Sequence, residues 1–189
     1  MYRLCTLGLL PMTLSALADG PYSDSFEAAT LSPFWTATQG NGVVQASATK
    51  SHTGAQSLQM ARTGGGQLNL ALQHTYSAAQ YGTVTVWFYD DATRYGYYSY
   101  LAIGNTGLGL SSSLGVQDWD ATHYYYQPLN GTGGTVPSIS RSVGWHEIAF
   151  VVTRTNQTMS FDGQPIYTGA NTAHGFGVWK GDRRMGAGG

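Results

Sequence analysis

Cysteine is nearly absent from this chain. The one residue, Cys5, lies in a stretch that reads as an export leader, so the segment after it has no thiol and no disulfide framework. Charge is scarce as well: 10% of residues are charged and the balance is −1, which leaves no basic surface for phosphate backbones or acidic lipids. Nucleic acid is therefore not an expected partner. Glutamate is rarer still, with Glu27 and Glu147 alone. No apolar run reaches the ~20 residues of a membrane span; the candidate, Leu4 to Leu17, is broken by Gly8, Pro11, Thr13 and Ser15. Preceded by Arg3 and ending in Ala16-Leu17-Ala18, it has the layout of a secretory signal peptide over residues 1–18. The expected location is secreted or extracytoplasmic, with no membrane insertion once the leader is removed. Helix-period patterning longer than a turn or two is missing too.

What the chain does have is glycine and tyrosine, 26 and 13 residues, a pairing that suits turns joining aromatic-rich strands. From Tyr22 onward, short β-type runs are punctuated by Gly, Asn, Ser and Pro at the spacing of a sandwich or barrel. The clearest are Gly42 to Ala48, Ala55 to Ala61, Gln67 to Gln73, Thr83 to Tyr89, Tyr97 to Ile103, Leu114 to Asp118 and Thr122 to Gln127. In Thr83 to Tyr89 a period of two puts Val84, Val86 and Phe88 on a core face, and Trp87 and Tyr89 on the opposite one. No repeat or linker divides the chain, so residues 19–179 are expected to form one domain. Residues 180–189, Lys180 to Gly189, have no strand pattern and are expected to be an irregular tail.

The most informative stretch is Gly144-Trp145-His146-Glu147-Ile148-Ala149-Phe150-Val151-Val152-Thr153, followed by Thr158-Met159-Ser160-Phe161, Asp162-Gly163 and Gln164-Pro165-Ile166-Tyr167. Two β-rich runs and an Asp-Gly turn read as consecutive antiparallel strands, because Asp-Gly supplies the positive φ angles of a tight hairpin. The Gly-Trp-His start and the Phe-Asp-Gly hairpin resemble those of the concanavalin A-like lectin/glucanase and laminin-G-like superfamily. Asp24-Ser25-Phe26-Glu27 and Ser51 to Met60 resemble the opening strand and the following turn and strand of such carbohydrate-binding sandwiches. The resemblance implies an all-β, antiparallel jelly-roll β-sandwich. Its members usually finish on a strand with a Phe-Asp-Asp-like sequence. None is visible here, so the fold is expected to lack its final strand and to leave an edge unpaired at Tyr22 to Ala28.

Function is sought in the tyrosine-rich centre, Tyr95 to Tyr100 and Trp119 to Tyr126. A flat ring with a polar tip can stack on the C–H face of a sugar and bond its hydroxyls, although alternate tyrosines also serve simply as sheet formers. The expected ligand-binding residues are Trp87, Tyr89, Asp118, Trp119, Asp120, Tyr124 and Tyr126, and the expected partner is an extracellular polysaccharide or glycan. Asp118 and Asp120 either cap a turn or contribute to a calcium site, which would need about 6–8 oxygens in all; no other cofactor is indicated. The five histidines, His52, His74, His123, His146 and His174, show no compact zinc spacing.

Catalytic motifs are hard to find. Glucanases of the resembled superfamily carry a Glu-x-Asp-x-x-Glu strand, and this chain has none. There is no Gly-x-Ser-x-Gly elbow. No catalytic residue is assigned, and the expectation is a non-catalytic, lectin-like domain. The alternatives are a polysaccharide lyase or glycoside hydrolase built around His123, Tyr125 and Asp120, or an extracellular structural domain. Asn130-Gly131-Thr132 and Asn156-Gln157-Thr158 fit the glycosylation pattern.

Overall fold

The computed structural model describes residues 21–63, 69–93, 97–105, 110–117, 120–128, 133–170 and 176–185. The proposed leader, Tyr95, Asp118, Trp119 and Asn130 lie outside them.

All described regular structure is β: β1 (Thr36–Thr38), β2 (Gly42–Ser47), β3 (Ser57–Arg62), β4 (Asn69–Gln80), β5 (Gly82–Asp90), β6 (Tyr97–Asn105), β7 (Leu110–Val116), β8 (His123–Gln127), β9 (Gly134–Ser140), β10 (Gly144–Val152), β11 (Asn156–Phe161), β12 (Gln164–Ala170) and β13 (Phe176–Met185). Seven strands form one sheet in the order β1-β4-β13-β6-β7-β8-β9. Four form a second, β12-β11-β10-β5, and β2-β3 is a separate hairpin. Every pairing is antiparallel.

The two larger sheets face one another across a shared core. Leu70, Leu72, Leu101, Ile103, Leu114 and Tyr124 contribute from the larger sheet, and Ile148, Phe150, Val152, Met159 and Phe161 from the smaller, with Val44 from the hairpin. This is the antiparallel β-sandwich that period-two patterning predicts, and β5 shows why. Val84, Val86 and Phe88 pack on the core, while Trp87 points outward at 42% exposure. The Asp-Gly turn forms as expected, with Asp162 and Gly163 at φ 48° and 75° joining β11 to β12, the positive values a tight primed turn needs.

Three expectations are corrected. Residues 180–185 are not an irregular tail but continue β13, which pairs with β4 on one side and β6 on the other. Backbone partners on both flanks hold it in the sheet without the side-chain alternation that marks a strand in sequence. The opening strand over Tyr22 to Ala28 does not form. Phe26 adopts φ 59°, which no extended strand tolerates. Its backbone N–H donates instead to Asp24 Oδ1 at 2.8 Å, and Glu27 accepts from the backbone N–H groups of Ala55 and Gln56 at 3.0–3.1 Å. Finally, Tyr124 is core, at 1% exposure, because the register Leu114↔Tyr126 turns Tyr124 and Tyr126 to the same side as Leu114.

Candidate functional site

At one end of the smaller sheet, β5 and β10 run side by side in unbroken register, with Trp145 opposite Tyr89 and Glu147 opposite Trp87. Since His146, Ile148 and Phe150 are buried, the alternating pleat turns Trp145 and Glu147 to the outer face, beside Trp87 and Tyr89. The tip of the β2-β3 hairpin reaches the same place. His52 stacks on Trp87 with ring centres 4.0 Å apart and 15° between planes, and meets Trp145 edge-on at 5.5 Å. Tyr89 meets Trp145 edge-on at 5.5 Å. Lys50 Nζ lies 4.5 Å above the Tyr89 ring and donates to the Tyr89 hydroxyl at 3.4 Å. The result is an outward group of three amphiphilic rings with a carboxylate, a cation and an imidazole among them.

A second carboxylate belongs to this end. Asp162, in the turn after β11, exchanges contacts with Glu147: its N–H donates to Glu147 O at 2.9 Å, and its Oδ1 accepts from Glu147 N at 2.8 Å. Asp162 Oδ2 lies 2.8 Å from His146 Nδ1. An ionised carboxylate only accepts, so that ring nitrogen carries the proton. The other ring nitrogen, Nε2, is 3.3 Å from Ser142 Oγ but 3.0 Å from the Ser142 carbonyl oxygen. The connectivity Ser142, His146, Asp162 is that of a nucleophilic triad. The carbonyl lies nearer than the hydroxyl, however, so Ser142 Oγ is not the group this ring nitrogen is aimed at. His146 thus clamps the start of β10 to the β11-β12 turn and fixes the Asp162 carboxylate.

The sequence-predicted residues divide. Trp87 and Tyr89 share the outer face just described. Tyr124 lies inside, and Tyr126 packs against the core beside Tyr167, 6.0 Å between ring centres. The four rings therefore do not form one shelf. Asp120 is a turn cap: its Oδ1 accepts from Thr122 N at 2.8 Å, Thr122 Oγ1 at 2.7 Å and His123 N at 3.0 Å. Partial burial pushes its carboxyl up, but these bonds, with a further one from the His123 ring, outweigh it and hold the group at about 2. Among the described residues, no three His, Cys, Asp or Glu side chains gather as a metal site would require. The structure also brings Trp145, Glu147, Asp162 and His52 to this end of the sheet, and the sequence does not single them out as ligand-binding residues. For Trp145 and Glu147 the signal is the outer-face parity of β10, which becomes meaningful only once β5 is known to be its neighbour; Asp162 and His52 lie in turns and have no such signal.

Behind this face, Asp90 and Arg141 tie the end of β5 to the loop before β10. Arg141 donates from Nε to Oδ2 at 2.9 Å and from an NH2 nitrogen to Oδ1 at 2.7 Å, with side chains 2% and 1% exposed. Burial pushes the Asp90 carboxyl up. The guanidinium bonds and a backbone bond from Ala92 outweigh that and hold it below the usual carboxylate range. Burial, with the Asp90 charge nearby, pushes the Tyr124 phenol well up. No described strand carries carboxylates at alternate positions of one face, so the glucanase arrangement named above has no counterpart there. A recess of about 300 Å³ lined by Phe26, Leu31, Pro33 and Ala46 offers one carboxylate, Asp24, already bonded to Trp35 Nε1 at 2.8 Å.

No protein-family profile and no curated protein matches the sequence. Solved structures do match in shape. A Crh5 transglycosylase superposes with a TM-score of 0.59 at 15% identity, over 88% of this chain and 70% of its own. An endo-1,3-β-glucanase (laminarinase) catalytic domain from Thermotoga petrophila superposes at 0.57 and 10% identity, over 89% and 87%. A Bacillus licheniformis β-glucanase superposes at 0.54 and 16% identity, over 87% and 84%. All three are named for catalysis and none for lectin-like binding, which overturns the expectation of a non-catalytic lectin-like domain. At these identities the likeness establishes architecture: the chain has the antiparallel jelly-roll β-sandwich fold of these proteins.

Proposed function

We propose that this chain breaks or transfers glycosidic bonds in an extracellular polysaccharide. The observation that carries the reading is the outer face of the smaller sheet, where Trp87, Tyr89 and Trp145 stand around Glu147. Such rings stack on the apolar faces of sugars while their polar edges bond hydroxyls, and cleavage of a glycosidic bond calls for carboxylates beside the bond. Architectural neighbours named as a transglycosylase and as glucanases favour catalysis over retention alone. The leader-like residues 1–18 support action outside the cytoplasm.

The test is incubation of purified protein with a panel comprising a 1,3-β-glucan, a mixed-linkage β-glucan, chitin oligosaccharides and mucin O-glycans. New reducing ends and, by mass spectrometry, lengthened oligosaccharides are the readouts. Turnover of at least one polymer is expected, with KM raised by Trp87→Ala. A folded protein that leaves every member of the panel intact would overturn the reading.

A further inference from the structure

Resting on that reading of the aromatic group, we infer that the site continues along β5 and β10 as a strip for a neutral, linear glycan, with ~20 Å of strand holding about four sugar units. The strand pairing lays the strip out in rows. Beyond Tyr89 with Trp145 and Trp87 with Glu147 come Thr85, Ala149 and Ser160 side by side, and then Thr83, Val151 and Thr158. All share the outer parity, because the residues between them, such as Val84, Ile148 and Met159, pack in the core. Same-face rows lie about 7 Å apart along a strand, and the four rows follow one another without a break in register.

The chemistry of the strip names its occupant. Past Glu147 these rows carry no ionisable side chain, so nothing there offsets the desolvation of a uronate, a sulfate or a phosphate. The hydroxyls of Thr83, Thr85 and Ser160 have no protein partner among the described residues, and Thr158 shares its own with Thr168 at 3.3 Å. A hydroxyl both donates and accepts, so such a surface meets the hydroxyls of a sugar in either sense. Ala149 is only 8% exposed although it faces outward, and it forms a low floor between the Thr85 and Ser160 side chains.

The aromatic end sets the direction. Trp87 remains exposed despite the His52 stack, which leaves ring surface for the first sugar. The hairpin tip stands at this end through His52 and Lys50, so a chain stacked there continues along the strands, away from the tip. A protein partner suits the strip poorly, because Ser, Thr and Val seldom anchor protein interfaces.

The experiment titrates the purified protein by calorimetry with oligosaccharides of two, four and six units prepared from laminarin, mixed-linkage β-glucan and chitin. Alginate oligomers of equal length are the charged counterparts. Expected is at least one neutral series whose Kd falls at least about tenfold from two units to four and less than about twofold from four to six, with alginate at least about tenfold weaker. Thr85→Lys, at an exposed position, is expected to abolish the gain with length while circular dichroism stays unchanged, and Ser160→Lys to do the same from the neighbouring strand. The inference is overturned by a Kd indifferent to length, by alginate binding as tightly, by either folded lysine variant keeping the gain, or by no series binding. A dimer in solution that Thr85→Lys dissociates would also overturn it, giving the strip to a second copy. A protein that cleaves the panel yet shows no length dependence keeps the proposed activity and loses the strip; one that binds by length without cleaving does the reverse.

Discussion

Gln157, on β11 of the smaller sheet, reaches across the core and donates from Nε2 to Ser112 Oγ on β7 of the larger sheet at 2.6 Å. Gln157 is 2% exposed and Ser112 0%, so neither group has water to fall back on. A polar bridge of this kind adds little net stability when intact, but it is costly to halve. Ser112→Ala is expected to destabilise by ~1–3 kcal/mol, and Ser112→Ala with Gln157→Leu by markedly less. Urea denaturation of the single and double variants checks this. Equal loss in both would show that the bridge is incidental.

The Asp90–Arg141 pair is expected to behave in the same way on a larger scale. Arg141→Met strands a buried carboxylate, a loss of roughly 3–5 kcal/mol, whereas Arg141→Met combined with Asp90→Leu recovers a large part of it. Thermal melts of the three proteins provide the comparison, and a double variant no better than the single one would refute the pairing argument.

Acid sensitivity has a defined direction. Asp120 titrates at about 2 in the fold against an ordinary 3.8, and Asp90 is also lowered. The unfolded chain therefore binds more protons in this range, and stability falls as pH drops. The Asp120 contribution is complete above about pH 4 and is lost as pH falls toward about 2. Asp120→Asn is expected to flatten the decline between those limits without changing stability near pH 7 relative to pH 5. Urea midpoints taken at half-unit steps from pH 5 to pH 2 test the shape; an unaltered slope in the variant would count against it.

Gly115 sits where β7 meets β6. A Cβ there would run into Ser99 O and the Tyr100 backbone, and backbone cannot swing aside as a side-chain tip does. Gly115→Ala is expected to cost ~1–3 kcal/mol, a fall in Tm of roughly 2–4 °C per kcal/mol for a chain of this size. Scanning calorimetry measures it directly, and an unchanged Tm would mean the two strands part without cost.

Much of the fold was legible because short polar-apolar alternation bounded by turn residues leaves few choices. The β5 pleat sorted Phe88 from Trp87 correctly, and Asp162-Gly163 fixed a hairpin from two letters. Two of the misreadings share one cause. Tyr124-Tyr125-Tyr126 has no alternation, so its facing is decided by the register with β7, a long-range property. Lys180 to Met185 looks shapeless because flanking strands on both sides, not its own pattern, make it a strand. The candidate site was legible only by halves: Trp87 and Tyr89 are picked out by parity, while Trp145 and Glu147 stand in a run that reads only as one strand of an antiparallel pair. Their grouping depends on β10 lying beside β5, which are more than fifty residues apart in the chain.

The position of β13 also dictates an order of events during synthesis. Of the thirteen described strands it is the last to leave the ribosome, yet it is the wedge that separates β4 from β6. Until it arrives, β4 and β6 expose matching rows of unsatisfied amides that could zip together wrongly or recruit a neighbouring nascent chain. The larger sheet therefore cannot close before β13 has been made, and β4 and β6 gain from being kept apart until then.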